Sequence, residues 1–354
     1  MAKGKKKQYL ALKIIVVLFL VGLVIGAFVG NKYYSNFVLS NVDTDGKEVY
    51  LFIPRNATTA EVVDLLDSLH VLEDRASLEW MVEQKNYTGK NIVAGKYKIE
   101  DGLSNNSLVN HLRAGNGRLD VSITFNQVRD LKQLSGAMTK ELMIDSAAVY
   151  AWLSNRDSIA RYGFNQNTII SMFVPNTYYV DWDMTVPELM KRMGKEYKRF
   201  WNEERTAKLK RTKLTQSQVT TLASIVYWET KLPKDMKTIA GVYINRLRIG
   251  MPLQADPTLI FAMGDYGIKR VLNEHKLIDS PYNTYKYKGL PPGPVLIPPI
   301  SYIDAVLDFE KHQYLYFVAK EDFSGESYFA KTHSQHVVYA NRFRRELNRR
   351  KVYR

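Results

Sequence analysis

The longest unbroken run of apolar residues lies close to the start of the chain. Between Leu10 and Gly30 the only charged residue is Lys13, and residues 14–30 are all apolar or glycine. A helix rises 1.5 Å per residue, so this run spans about 30 Å, the thickness of the hydrocarbon core of a bilayer. A cleaved signal peptide has a shorter apolar core, of about 7 to 15 residues. The pattern therefore predicts one uncleaved transmembrane helix at residues 10–30.

Shorter patterns follow a polar stretch at residues 31–46 and predict an α+β fold. A strand is predicted at residues 47–53, where Pro54 ends it, and a helix follows with apolar positions at helical spacing. The same reasoning predicts further helices at residues 76–85, 104–113, 128–152 and 186–195, and further strands at residues 97–99 and 119–125.

One predicted helix carries a charged residue where its pattern requires an apolar one. The helix begins with a capping box at residues 215–218 and ends near Thr230, before Pro233. Its buried stripe continues through Val219, Leu222 and Val226 to Glu229. Burial raises the pKa of a carboxyl group, so Glu229 is a candidate general acid near neutral pH. The alternative is that Glu229 turns to solvent or pairs with Arg246 or Lys231.

Loops rich in amides, hydroxyls and aromatic rings follow a second predicted helix at residues 236–248. They cover residues 251–258, 282–285 and 289–294. These residue types bind sugars by hydrogen bonding and by stacking on apolar ring faces. Asp256 is the acidic residue of these loops, and two interpretations of it remain open. It is either a structural residue that caps the turn before Pro257, or a functional one that orients substrate or acts as a second carboxylate.

Charge and composition narrow the function classes. The 354 residues include no cysteine, which excludes disulfides, a cysteine nucleophile and thiolate metal sites. Of the net charge of +14, residues 1–13 carry +5 and residues 341–354 carry +6, so only +3 remains for the rest of the chain. We therefore expect no nucleic-acid partner. The chain has no HExxH motif and its histidines are scattered, so we expect no metal and no cofactor.

Five ordered motifs over about 70 residues resemble one family. They are Ala223-Ser224-Ile225-Val226-x-x-Glu229-Thr230, Ala240-Gly241-Val242-Tyr243-Ile244-Asn245-Arg246-Leu247, Leu253-Gln254-Ala255-Asp256-Pro257-Thr258, Tyr282-Asn283-Thr284-Tyr285 and Gly289-Leu290-Pro291-Pro292-Gly293. Together they are similar to the endolytic murein transglycosylase family, often called MltG. Upstream, Ala94-Gly95-Lys96-Tyr97 is similar to the family's LysM-like region, and downstream His336 lies in a segment similar to its closing helix.

The resemblance implies both an architecture and a location. It implies a cytoplasmic basic tail at residues 1–9, the transmembrane helix, a linker at residues 31–46, a LysM-like α+β module at residues 47–118 and an α+β catalytic transglycosylase domain at residues 119–354. The lysines before the apolar run hold the N-terminus in the cytoplasm by the positive-inside rule. We therefore expect a single-pass protein of the inner (plasma) membrane with an extracytoplasmic, periplasmic catalytic domain.

The activity implied is cleavage of the MurNAc–GlcNAc bond of peptidoglycan glycan strands without water, which leaves a 1,6-anhydro-MurNAc end. The family's catalytic glutamate falls on Glu229, and Tyr227 stands where many relatives carry a second glutamate. The substrate-binding candidates are Gln254, Asp256, Asn283, Thr284, Tyr285, Asn245 and His336. Strand termination, which the family suggests, makes glycan polymerases expected partners.

A single carboxyl group suffices for this chemistry. Glu229 would first protonate the leaving glycosidic oxygen and then remove the proton of the C6 hydroxyl as that oxygen attacks C1, whereas the common hydrolases need two carboxylates. Two alternatives remain open. One is a muramidase-type hydrolase that uses Glu229 with Asp256, and the other is a non-catalytic glycan-binding scaffold of the cell-wall machinery.

Overall fold

The computed structural model describes residues 2–268 and 271–350, with side chains from residue 12 onward. The described residues form fourteen α-helices and six strands, apart from short 3-10 turns. The helices are α1 (Ala2–Val38), α2 (Thr59–Ser68), α3 (Arg75–Gln84), α4 (Asn105–Ala114), α5 (Leu131–Thr139), α6 (Ser146–Ser154), α7 (Arg156–Ala160), α8 (Val186–Phe200), α9 (Glu203–Thr212), α10 (Gln216–Glu229), α11 (Pro233–Arg248), α12 (Asp256–Met263), α13 (Ile300–Leu307) and α14 (His333–Arg349). The strands are β1 (Val49–Ile53), β2 (Gly95–Ile99), β3 (Arg118–Thr124), β4 (Thr177–Asp181), β5 (Tyr316–Ala319) and β6 (Ser327–Ala330). The α+β class predicted from the sequence is confirmed.

The chain divides into two compact units. The first comprises residues up to 121 together with residues 180–183, and the second comprises residues 122–179 and 184–354. Strands β1, β2, β3 and β4 form one four-stranded sheet in that order, and β5 pairs with β6 in a second sheet. The chain passes from one unit to the other within β3 and again within β4.

Helix α1 contains the predicted apolar run, and its segment 12–38 is long and apolar enough to cross a membrane. The large apolar side chains from Leu12 to Val29 are all exposed in the structure. The helix continues to Val38, so the predicted linker at residues 31–46 begins as helix. The rings of Tyr33 and Phe37 stack with centroids 4.3 Å apart, and Phe37 contacts Trp80 of α3 edge to face at 5.5 Å. Packing against α3 therefore extends the helix beyond the apolar run.

The first unit is built on the antiparallel pair β1–β2, where Leu51 lies opposite Tyr97. Helices α2, α3 and α4 bury their apolar faces against this pair in one core. Thr58 begins α2 with a capping box that includes Glu61. Buried Asn41 fixes the segment after α1, because its Nδ2 donates to the Oδ1 of Asn105 at 2.7 Å and to the carbonyl oxygen of Asp74 at 2.9 Å.

Helix α10 is the central helix of the second unit. Its eight residues 219–226 are all buried, and α11 and α13 pack against it in one apolar cluster. The polar residues of this stretch are satisfied within the protein: Thr221 Oγ1 donates to the carbonyl oxygen of Ser217 at 2.8 Å, and Ser224 Oγ donates to that of Thr221 at 2.7 Å. The predicted capping box at Thr215 is confirmed. Glu229 is the last residue of this well-packed helix.

Two predicted helices of the second unit differ in extent from the observed ones. The single helical stretch predicted at residues 128–152 is two helices, α5 and α6, because Asp130 and Asp145 each cap a separate N-terminus. Helix α11 begins at Pro233 rather than Met236, since proline at the first helical position needs no amide hydrogen bond. The earlier start adds most of a turn to the helix that carries Tyr243 and Arg246.

The C-terminal segment of the second unit is a hairpin covered by one helix. In the hairpin Phe317 lies opposite Phe329. Thr332 caps α14, a helix of 17 residues with no fully buried side chain. Its first turn carries His333 and His336 against Tyr316 of β5.

Candidate active site

Glu229 is the last residue of α10, where Thr230 turns the backbone from helical to extended. Its carboxylate accepts a hydrogen bond from the hydroxyl of Tyr243, with 2.8 Å between Tyr243 Oη and Glu229 Oε1. Burial is the main cause that raises the pKa of Glu229 to about 7, and the negative charge of Asp256 adds to it. The Tyr243 hydrogen bond and the positive charge of Arg246 act in the opposite direction. Glu229 can therefore hold or release a proton at neutral pH.

Arg246 and Lys231 do not neutralise Glu229 directly. Arg246 is buried, and its Nε and Nη1 donate to the carbonyl oxygens of Leu315 and Leu253 at 2.7 and 2.6 Å. It acts on Glu229 only through space, as one of the positive charges near the carboxylate. The Lys231 ammonium lies over the ring of Tyr227, 3.1 Å from its centroid. The alternative in which Glu229 serves as a structural ion-pair partner therefore finds no support in the geometry.

The loop between α11 and α12 forms one wall of the pocket around Glu229. Gln254 has a positive φ of 50° and is held by its backbone N–H, which donates to the carbonyl oxygen of Thr284 at 3.0 Å. Asp256 is exposed at the start of α12, and its Oδ1 accepts a hydrogen bond of 2.5 Å from Tyr285 Oη. The N-cap of α12 is Ala255, with no side-chain cap. Asp256 therefore does not cap the turn, and its carboxylate faces the pocket.

Three of the predicted substrate-binding residues do not line the pocket, and two of them, Asn283 and Thr284, lie behind this wall. Asn283 is fully buried, and its Nδ2 donates to the carbonyl oxygens of Lys276 and Ile278 at 2.9 and 2.7 Å. Thr284 is buried, and its Oγ1 accepts from the backbone N–H of Ala255 at 3.0 Å. These bonds leave the side chains of Asn283 and Thr284 no access to a ligand, and they hold Tyr285 and Gln254 in place.

Asn245, the third of these residues, connects α11 to the segment before β5. Its Nδ2 donates to the carbonyl oxygens of His312 and Tyr314 at 2.8 and 3.1 Å. Gly241, one turn earlier on α11, lets this segment approach, because a Cβ there would collide with the carbonyl oxygen of Glu310. The side chain of Asn245 is thus used for joining two elements and does not line the pocket.

The opposite wall comes from β5 and α14. The rings of Tyr316 and His336 stack with centroids 5.3 Å apart. His336 Nδ1 is buried and has no hydrogen-bond partner among the described residues. Burial, followed by the charges of His333, Arg246 and Arg344, lowers the pKa of His336. The lowered pKa favours the neutral imidazole of His336, and this side chain lines the pocket.

Together these walls enclose a cavity of about 270 Å³ around Glu229. It is lined by Glu229, Tyr243, Arg246, Gln254, Asp256, Tyr285, Tyr316, Phe317, His333 and His336. Within residues 2–268 and 271–350, no three His, Asp or Glu side chains lie close enough together to hold a metal ion. The cavity thus offers one proton donor poised near neutrality, a second carboxylate at its rim and aromatic faces that suit a sugar ring.

Five of the predicted residues line the pocket: Glu229, Gln254, Asp256, Tyr285 and His336. It adds five lining residues that the sequence reasoning did not assign to the site: Tyr243, Arg246, Tyr316, Phe317 and His333. A signal existed for Tyr243 and Arg246, which occur in the same motif as Asn245. Their approach to Glu229 depends on the crossing of α10 and α11, which no local pattern specifies.

Comparison with known proteins places the chain in a family. The YceG-like family matches residues 51–342. A relative from Bacillus subtilis named endolytic murein transglycosylase is 31% identical over 330 residues, which cover 89% of each chain. A relative of the same name from Streptococcus pneumoniae is 27% identical over 365 residues, covering 92% of this chain but only 64% of that protein.

A solved structure is also similar. It is a YceG-like protein from Listeria monocytogenes, 25% identical to this chain, with a TM-score of 0.52, and the match covers 82% of this chain and 98% of that one. The family match extends over most of the chain and includes every residue that lines the pocket around Glu229. The chain therefore belongs to the YceG-like family of endolytic murein transglycosylases.

Proposed function

We propose that this protein is a membrane-anchored, endolytic lytic transglycosylase that cleaves MurNAc–GlcNAc bonds of peptidoglycan and leaves 1,6-anhydro-MurNAc ends. The observation that carries the proposal is Glu229, a partly buried carboxyl group with a pKa of about 7 in a cavity lined by aromatic and polar side chains. The names of the relatives from Bacillus subtilis and Streptococcus pneumoniae support the same activity.

Glu229 supplies both proton transfers of this reaction. Protonated Glu229 donates its proton to the glycosidic oxygen while the bond from that oxygen to C1 of MurNAc breaks, and the leaving sugar departs as an alcohol. The Glu229 carboxylate then removes the proton of the C6 hydroxyl as the C6 oxygen forms a new bond to C1. Glu229 thus regains the proton that it donated, and no water is consumed. A group that acts first as acid and then as base works best with a pKa near the working pH.

The surrounding residues position the carboxyl group and the sugar. Tyr243 holds Glu229 Oε1 by a hydrogen bond of 2.8 Å, which fixes the direction of proton transfer. Tyr285 holds Asp256 at the rim by a hydrogen bond as well. The negative charge of Asp256 would stabilise the positive charge that develops at C1. Gln254 and His336 have polar groups that can bind the sugar substituents. Asn245, Asn283 and Thr284 contribute as positioning residues behind the walls.

A hydrolytic reaction is the second candidate, and Asp256 is the observation that favours it. Asp256 lies in the same cavity as Glu229 and is close enough to raise the pKa of Glu229 through its charge. A second carboxylate in this place could activate a water molecule, as in muramidases. The two reactions differ in one respect that can be measured: hydrolysis adds a water molecule to the product, and the lytic reaction does not.

The test is mass spectrometry of the fragments that the full chain releases from purified peptidoglycan. Glu229→Gln removes the proton donor and keeps the shape of the side chain. Glu141→Gln makes the same chemical change on an exposed residue of the second unit and serves as control. We expect anhydro ends from the unchanged chain and the control, and none from Glu229→Gln. Products heavier by one water would assign the hydrolase, and no cleavage by the unchanged chain with binding intact would assign a glycan-binding scaffold.

The anchor and the orientation are part of the proposal. The support is that α1 is exposed and apolar from Leu12 onward, with five lysines at residues 1–13. The positive-inside rule then holds the N-terminus in the cytoplasm and exports residues 31–354 across the inner (plasma) membrane. The catalytic unit would act next to the membrane, where glycan polymerases extend strands, and such enzymes are the proposed partners.

We also propose a LysM-like module at residues 47–118 and a catalytic domain at residues 119–354. In support of the module, β1 and β2 pair as antiparallel strands, and the two helices α2 and α3 lie between them in the sequence. All ten residues that line the cavity lie after residue 119.

A further inference from the structure

A second cavity in the catalytic unit lies between α7, α8 and the start of α10. Its volume is about 580 Å³, roughly twice that of the cavity around Glu229. Four cations stand at its rim, and aromatic rings form its floor. The residues that characterise it are Arg161, Lys191, Lys195, Lys198, Tyr162 and Tyr197. We refer to it as the basic cavity.

The three lysines of the basic cavity follow one stripe of α8. Lys191, Lys195 and Lys198 are spaced four and three residues apart, so they stand above one another on the same face of the helix. Like charges at this spacing destabilise a helix. In the part of the chain that the structure describes, neither these lysines nor Arg161 forms an ion pair. Their mutual repulsion therefore costs stability, and no described acidic residue is paired with them.

Glu196, which lies between Lys195 and Lys198 in the sequence of α8, does not compensate these charges. Glu196 Oε1 forms an ion pair with Arg192 Nε at 3.1 Å, one turn apart on the helix. Glu196 is therefore paired with Arg192, and no ion pair between the lysine stripe and an acidic residue is found among the described residues. Exposed lysines of this kind attract anions over about 8 Å at physiological ionic strength.

The floor of the basic cavity is fixed by close packing. The ring of Tyr162 lies directly against the backbone of Gly194, where a Cβ would come within 2.6 Å of Tyr162 Cε1. Tyr197 Oη donates to Gln216 Oε1 at 2.8 Å, and its ring meets Phe164 edge to face at 5.3 Å. A preformed apolar floor under a cationic rim suits a ligand that carries both apolar groups and negative charges.

The basic cavity and the active site lie at opposite ends of α10. Gln216, which lines the basic cavity, is the first residue of this helix and Glu229 is the last. Thirteen steps of 1.5 Å separate them by about 20 Å. The basic cavity is therefore too distant to take part in proton transfer, yet it is held rigidly with respect to Glu229.

We propose that the basic cavity is a second substrate site that binds the carboxylates of peptide substituents on the glycan strand. This inference rests on the proposed function, because it takes peptidoglycan as the substrate. Peptidoglycan is a polymer that extends beyond the cavity around Glu229. The peptide substituents of peptidoglycan combine aliphatic side chains with free carboxylates, which match the floor and the rim. Binding there would favour strands that still carry their peptides.

The test measures binding separately from cleavage. The full chain with Glu229→Gln, in detergent micelles, is titrated calorimetrically with peptide-bearing glycan fragments and with the same fragments after removal of the peptides. Lys191→Gln/Lys195→Gln removes two charges from the rim, and Lys140→Gln/Lys210→Gln removes two exposed charges elsewhere in the same unit. Because the rim variant loses two exposed ion pairs with the ligand, it should bind the peptide-bearing fragment about fivefold more weakly than the control variant.

The outcomes separate the inference from the proposed activity. Equal affinity of the rim and control variants would overturn the site, as would an equal loss for peptide-free fragments. If millimolar inorganic phosphate displaced the bound peptide-bearing fragment as efficiently as additional fragment does, the assignment to carboxylates would be overturned. Loss of affinity in the rim variant would support the site even if the unchanged chain released no anhydro ends, because binding is measured without cleavage.

Discussion

The raised pKa of Glu229 predicts that the catalytic residue destabilises its own fold at neutral and alkaline pH. Its pKa rises from an ordinary 4.5 to about 7 on folding, mainly because burial disfavours the charged form. The folded state then holds the proton more tightly than the unfolded state, so stability is full below pH 4.5 and falls as the pH rises to 7. At 1.36 kcal/mol per pKa unit, the loss above pH 7 is about 3 kcal/mol.

Glu229→Gln removes this loss because the amide is neutral at every pH. We expect the variant and the unchanged chain to unfold at similar temperatures at pH 4.5, and the variant to be more stable by about 3 kcal/mol at pH 8. For a unit of this size the difference corresponds to roughly 6–12 °C in Tm.

Differential scanning calorimetry of the full chain in detergent measures this difference as a function of pH. Glu141→Gln is again the control, because its side chain is exposed and its substitution should leave Tm unchanged at both pH values. A difference between Glu229→Gln and the unchanged chain that is the same at pH 4.5 and pH 8 would refute the reasoning, since it would show that the effect does not come from the carboxyl charge.

Three further substitutions test the supporting structure. Tyr243→Phe removes the hydrogen bond that lowers the pKa of Glu229, so the alkaline limb of the pH–rate profile should move to higher pH; a shift to lower pH would contradict this. Asn283→Ala removes a buried amide and leaves the carbonyls of Lys276 and Ile278 without this donor, so it should cost about 3 kcal/mol in urea unfolding. Gly241→Ala forces α11 away from Glu310 and should cost about 1 to 3 kcal/mol with a lower kcat; wild-type stability of either variant would show that the backbone adapts.

Local patterns were sufficient to predict the elements that carry the chemistry. The capping box at Thr215 and the apolar stripe that ends at Glu229 specify the start of α10 and the residue that it buries. Both depend on neighbours within a few positions along the chain, where propensity and periodicity act directly. The separate caps at Asp130 and Asp145 are also local signals, and they mark two helices within the stretch predicted as one helix at residues 128–152.

The contents of the pocket could not be predicted in the same way, because they depend on how distant elements pack. Asn283 has the amide that a sugar site needs, yet the loop uses it to bind Lys276 and Ile278. A sequence shows the residue type but does not show whether its hydrogen bonds are already made. Tyr316 and Tyr243 reach Glu229 only because β5 and α11 lie beside the end of α10, about 90 and 14 residues away in the chain.

Two helices that carry residues of the pocket, α10 and α14, differ in how firmly they are packed. Helix α10 has eight buried side chains, whereas α14, which carries His333 and His336, has none among its described residues. Elements with few buried contacts open at lower free energy than the global fold. Amide protons of α14 should therefore exchange with solvent faster than those of α10. A brief release of α14 would open the cavity to an internal segment of a long strand, which has no free end to thread. The return of α14 would restore the burial that raises the pKa of Glu229.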